Sequence, residues 1–163
     1  MEVIRHPNLS PEQQDALIQE LDQLLAEYQT YQSNVRRIHW NPQLRPYLDF
    51  SHKIARLYQV TEANRHLIAD TMIRMGAAPS EPVLAGVLPV KRQVAQVLEI
   101  PAFEQAVGVI VHTSRQMLEL VRETFVLAAQ YQHQPTMQLM NRLAQQLAFT
   151  IGVFSSERMA TFN

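Results

Sequence analysis

Glu62, His66 and Asp70 step by four along the chain, so on an α-helix their side chains share one face, about a turn apart. Imidazole and carboxylate side by side are donors for a first-row divalent metal ion. The segment that carries them is otherwise apolar, with Phe50, Ile54, Leu57, Leu67, Ile68, Met72 and Met75. A line of ligand-type side chains on such a helix needs a reason, and a metal is one. A second feature stands just upstream, the His-Trp pair of Ile38-His39-Trp40-Asn41. The stretch from Ile38 to Pro79 therefore holds the side chains with chemistry to offer, and the remaining elements must position them.

At 163 residues the chain has the length of a single domain, 1–163, large enough to bury a core without staples. A hydrophobic content of 47% with only 4 Gly fits packed helices better than a loop-rich or β fold. The absence of Cys excludes a disulfide scaffold and thiolate metal sites. No charged-then-apolar leader opens the sequence and no apolar run nears 18 residues, which predicts a soluble, cytoplasmic protein with no membrane association. The net charge of −1, with Lys only at Lys53 and Lys91, implies no strong attraction to nucleic acid or anionic membranes.

The elements read in order as four long helices and one short one. Ser10-Pro11-Glu12-Gln13 is a helix start, with a capping hydroxyl, Pro at the first helical position and Gln three residues after the cap. Leu17, Leu21, Leu24, Tyr28, Tyr31, Val35 and Ile38 then alternate steps of three and four, a seam about 30 residues long that spans roughly 45 Å at 1.5 Å per residue. Pro42 and Pro46 end it. The second helix runs from Asp49 to Met75, where Gly76 suits the left-handed C-terminal conformation and Pro79 prevents continuation. Residues 79–88 read as a crossover loop, followed by a short helix from Pro89 through Leu98 with Val90, Val94 and Val97 on one side. Pro101 opens the third long helix, whose buried line is Phe103, Val107, Ile110, Ser114, Met117, Val121 and Phe125 or Ala128. The run from Gln130 to Pro135 is a turn, and Met140, Leu143, Leu147, Ile151 and Phe154 form the fourth seam. The expected fold is all-α: a ferritin-like four-helix bundle with a short helix in the long crossover between the second and third long helices.

Three stretches carry a resemblance: Asn34-Val35-Arg36-Arg37-Ile38-His39-Trp40-Asn41, Leu57-Tyr58, and Met75-Gly76-Ala77-Ala78-Pro79. Together with the helix order they resemble the Dps proteins, the bacterial mini-ferritins. The resemblance implies a homo-oligomer, a dodecameric shell that oxidises ferrous iron with hydrogen peroxide or oxygen, stores the ferric product and protects against oxidative damage. It also implies a ferroxidase site at a two-fold dimer interface, built by a His-Trp histidine with a His and an Asp early in the second helix of one subunit, and an Asp and a Glu four residues apart from the other.

Carried over by position, His39 matches the first of these. The Asp/Glu pair falls on His66 and Asp70, so one carboxylate has become imidazole and the other is shortened. The two ligands early in the second helix fall on Ser51 and Ala55, neither a good donor, with His52 one residue from the expected His. The resemblance thus implies a His-rich site of His39, His66 and Asp70, with His52 as a further candidate and Glu62 one turn away. Iron(II) accepts two imidazoles and a carboxylate with open positions, and the same set suits zinc or copper. Such a site weakens as pH falls through the histidine range, because protonated imidazole has no lone pair to give.

Blander roles compete. Glu62 fits a salt bridge with Arg65 or Arg36 better than a metal, His6, His112 and His133 read as surface or satisfied core residues, and the seven Met are core filler. Trp40 is either a packing residue or an aromatic able to intercept radicals beside an oxidising site. Two expected family features are missing. Residues 1–10 offer only Arg5 and His6 as cations and the terminal Ala160-Thr161-Phe162-Asn163 offers none, which argues against DNA binding. From Thr124 onward the one acidic residue is Glu157, so the acidic iron-entry channels that the resemblance implies have no counterpart. The alternative to an iron-oxidising mini-ferritin is accordingly a shell that kept the cage and lost much of its catalysis, acting as a container or as a partner of another such protein.

Overall fold

The computed structural model describes residues 8–89, 93–100 and 102–160. Its first helix, α1, spans Pro11–His39 and opens with a reciprocal cap: the Ser10 hydroxyl accepts from the Gln13 amide at 3.2 Å, and the Gln13 side chain accepts from the Ser10 amide at 3.1 Å. A single 3-10 turn, Pro42–Leu44, separates it from α2, Leu48–Arg74. The C-terminal end of α2 is closed by Gly76 in the left-handed region, φ +85°, with the Ala77 amide reaching back to the Met72 carbonyl at 3.1 Å. After a four-residue helix α3, Glu81–Leu84, come α4, Phe103–Gln130, and α5, Gln134–Ala160. The turn between them is set by Gln132 at φ +56°, and the His133 amide donates to the Ala128 carbonyl at 2.9 Å.

Two antiparallel hairpins, α1–α2 and α4–α5, pack into one bundle, with α1 against α4 and α2 against α5. The four apolar seams meet at its centre: Leu17, Leu21, Tyr28, Val35, Ile54, Ile68, Met72, Val107, Ile110, Met117, Val121, Met140 and Leu143 are fully or almost fully buried. Full burial of each Leu or Ile contributes about 1.5–3 kcal/mol relative to exposure. Tyr31 is buried among them, its hydroxyl paired with Ser114 at 2.8 Å and its pKa pushed up to about 12 by burial. At the far end of the bundle Lys53 of α2 bridges Asp49, at 2.7 Å, and Glu157 of α5.

The crossover departs from the sequence expectation. The short helix is α3, inside the stretch read as loop. Of the Pro89–Leu98 helix expected from the valine spacing, residues 90–92 lie outside the described residues and 93–98 are not helical. Pro101 also lies outside them, and α4 begins at Phe103. The reason is visible in where the backbone donors go. Glu27 of α1 accepts from the amides of Gln93 and Val94 at 2.8 and 3.0 Å. Asn34 accepts from the Val97 amide at 2.9 Å and donates to the Ala95 carbonyl at 2.7 Å. Gln116 of α4 accepts from the Ala95 amide at 3.1 Å. Side chains of the neighbouring helices take the place of the i−4 carbonyls, so the segment stays extended and Val94 is still buried. Further along, Arg37 and Asn41 donate to the carbonyls of Leu98 and Ile100.

Candidate metal centre

His39 is the last residue of α1, exposed beside the Trp40 cap. Its imidazole lies parallel to the Tyr58 ring of α2, with centroids 5.8 Å apart and 25° between planes. Trp40 is 68% exposed, with the Arg36 guanidinium 5.5 Å above its ring, so the indole is not a packing residue within this subunit.

On α2, Glu62 and His66 are brought together: Glu62 Oε1 stands 3.4 Å from His66 Nε2. The same carboxylate accepts from Gln32 Nε2 of α1 and from Arg65 Nη1, the latter at 3.3 Å, while Gln32 Oε1 accepts from Arg65. Donation from Gln32, reinforced by the positive charge of Arg65, holds the Glu62 carboxyl below its usual range against the opposing effect of partial burial. Glu62 is thus the salt-bridge partner of Arg65, whereas Arg36 is occupied with Trp40. His66 itself projects into solvent, its side chain 74% exposed. Asp70, one turn on, is exposed and borders a pocket shared with Arg74 and Arg142. His52 is exposed on the first turns of α2, near Asp49.

The geometry separates these donors. Tyr58, beneath His39, precedes His66 by eight residues, a rise of about 12 Å along the helix. Among the described residues of one subunit, no three His, Asp or Glu side chains cluster closely enough to hold a metal ion. Ser51 is engaged otherwise, its hydroxyl donating to the Leu44 carbonyl at 3.1 Å, and Ala55 has no donor to offer. The pairing of Glu62 with Arg65 was expected from the sequence, whereas the stack of His39 on Tyr58 and the part of Gln32 in the network were missed by the sequence reading. Of the other histidines, His112 is exposed, His133 is buried with its Nδ1 2.8 Å from the Thr136 hydroxyl, and His6 lies outside the described residues. Met72, Met75, Met117 and Met140 are core residues as expected, while Met1 and the side chain of Met159 lie outside the described residues.

An all-helical bundle of this order is the ferritin-like four-helix fold, in the form seen in Dps proteins. The chain superposes on a Dps protein from Vibrio cholerae O1, described as a member of a broad superfamily of ferritin-like diiron-carboxylate proteins, with a TM-score of 0.82, 19% identity and coverage of 96% of this chain and 98% of that one. A Dps protein from Bacillus brevis gives a TM-score of 0.79 at 12% identity, covering 91% and 98%. Dps from Listeria innocua, in a crystal soaked with zinc, gives 0.72 at 14% identity, covering 86% and 94%. No protein-family model matches the sequence, and no curated protein matches it. At these identities the likeness is one of fold.

Proposed function

We propose that this protein is an iron-oxidising and iron-storing mini-ferritin whose site is completed between two subunits, His39 from one and His66 with Asp70 from the other. The observation that carries the reading is that all three side chains stand exposed on a Dps-type fold, while no three ligand-type side chains cluster within the described part of one subunit. Ferrous iron is the substrate. Two imidazoles and one carboxylate leave positions open for peroxide or oxygen. With peroxide, two ferrous ions each give up one electron, the O–O bond breaks, and two protons complete two waters. His39 and His66 bind as neutral imidazoles, Asp70 supplies the negative charge that favours the ferric product, and Glu62 orients His66 while staying paired with Arg65. The same donor set also accepts zinc, which would occupy the site without turnover.

The test is ferric absorbance after anaerobic loading with a few ferrous ions per subunit, followed by peroxide or air. The expected result is oxidation faster than in buffer, slowed in His39→Ala and His66→Ala with the assembly intact. Unchanged rates in both variants would overturn the assignment. One observation favours a second reading, a shell that serves as container or partner with its catalysis weakened: the Ser51 hydroxyl is turned onto the Leu44 carbonyl and Ala55 is inert. That reading predicts rates no better than iron in buffer.

A further inference from the structure

Between the C-terminal end of α2 and the first turns of α5 lies a pocket of about 350 Å³, lined by Asp70, Arg74, His133, Gln138 and Arg142 among others. Its size sits at the lower end of small-ligand sites. Two arginines from different helices line it, and neither Arg74 nor Arg142 makes an ion pair or hydrogen bond with any described residue. Two unpaired cations lining one concavity repel each other, and a multivalent anion between them removes that repulsion. The groups facing them offer little compensation. α5 carries no acidic residue in its first turn, and its next carboxylate is Glu157, which is bound to Lys53 at the other end of the helix. Asp70 is the one carboxylate among the lining residues; it stands four residues before Arg74 on α2, yet the two are not within ion-pair distance. Gln138 adds an amide donor to the lining.

We infer that this pocket is a binding site for a small multivalent oxyanion of the phosphate type, clamped by Arg74 and Arg142. Guanidinium presents paired N–H donors that match the oxygens of such an anion, so two arginines engage it from two sides. Asp70 opposes the anion and offsets one of the two arginine charges, which selects for a compact ligand that reaches the arginines without crowding the carboxylate. The pocket shares Asp70 with the proposed metal site, so anion binding is measured without iron, where its outcome does not depend on the iron reading.

The experiment is calorimetric titration of the metal-free protein with inorganic phosphate at neutral pH. Saturable binding is expected, displaced by sulfate, and weakened about tenfold or more by Arg74→Gln or Arg142→Gln, as befits loss of a charge-assisted contact. Asp70→Asn is expected to bind phosphate severalfold more tightly, and this variant decides the matter if the arginine substitutions fail to fold. Absence of saturable binding, equal affinity in the Arg74→Gln/Arg142→Gln double variant, or unchanged or weaker affinity in Asp70→Asn would each overturn the site. A parallel titration with a short DNA duplex separates the sources of phosphate: binding of duplex in place of free phosphate, lost in the double variant, would overturn the small-anion assignment.

Discussion

The imidazole of His39 stacks on the phenol ring of Tyr58, at a centroid distance of 5.8 Å, and this ring contact ties the end of α1 to α2. A histidine at a helix terminus, followed by a 3-10 turn and two prolines, has few other restraints. Its orientation therefore depends on a residue nineteen positions downstream.

Tyr58→Ala is expected to free the imidazole and slow iron oxidation about two- to tenfold, the range that corresponds to an aromatic pair of about 0.5–1.5 kcal/mol. Tyr58→Phe keeps the ring and is expected to retain the rate. Single-turnover ferric absorbance on both variants checks this. A loss in Tyr58→Phe equal to that in Tyr58→Ala would mean that the hydroxyl, not the stack, matters.

Glu62 makes stability depend on pH. Its folded-state pKa is depressed, chiefly by donation from Gln32, so the carboxylate contributes stability above the unfolded carboxyl range, and that contribution is lost as pH falls through the lower folded value. Because the group is almost half exposed, solvent screening keeps the contribution small. Glu62→Gln is expected to be less stable than the parent at pH 7 and to converge with it at a pH below the depressed folded-state value, where the parent carboxyl is itself protonated. Urea denaturation at the two pH values measures the difference.

The end of α2 gives a local prediction. Gly76 stands at φ +85°, where a Cβ meets the following carbonyl, so Gly76→Ala is expected to cost about 1–2 kcal/mol. For a chain of this size that lowers Tm by several degrees. Gly76→Asn, which tolerates the left-handed region better, is expected to lose less; equal losses would point to packing rather than backbone strain.

The helical seams were legible because burial imposes the 3.6-residue period directly on residue type: Leu17 to Ile38 on α1 and Met140 to Phe154 on α5 were found from spacing alone. The crossover was not, because what holds it extended is a set of side chains on other helices. Val90, Val94 and Val97 have helical spacing, yet the amides of Val94 and Val97 are claimed by Glu27 and Asn34, more than sixty residues away. The only local hint was polar residues on the buried side of α1. The candidate site was legible in part. The four-residue steps from Glu62 to Asp70 follow from the helix, and the pairing of Glu62 with Arg65 follows from i, i+3 proximity. The His39–Tyr58 stack depends on how α1 and α2 dock, and the partner proposed for His66 and Asp70 would come from a contact between subunits, which no periodicity within one chain encodes.

That clamp on the crossover gives the last prediction. Asn34 is fully buried, its carboxamide accepting from the Val97 amide and donating to the Ala95 carbonyl, so one side chain satisfies two backbone groups of a segment with no secondary structure of its own. Asn34→Ala removes the side-chain partner of both groups, at about 1–3 kcal/mol for each group that stays unsatisfied. Asn34→Asp keeps the acceptor but turns the donor into a second acceptor facing the Ala95 carbonyl, and is expected to be no better than Ala. Glu27→Gln, which keeps one acceptor for the Gln93 and Val94 amides, is expected to lose less than either. Denaturant unfolding ranks the three. Limited proteolysis supplies the complementary reading: cleavage between residues 89 and 100 is expected to rise in Asn34→Ala while α4 and α5 remain protected, because the seams of those helices do not involve the clamp. Uniform loss of protection across the chain would instead mean that α1 itself, and not the crossover, depends on this side chain.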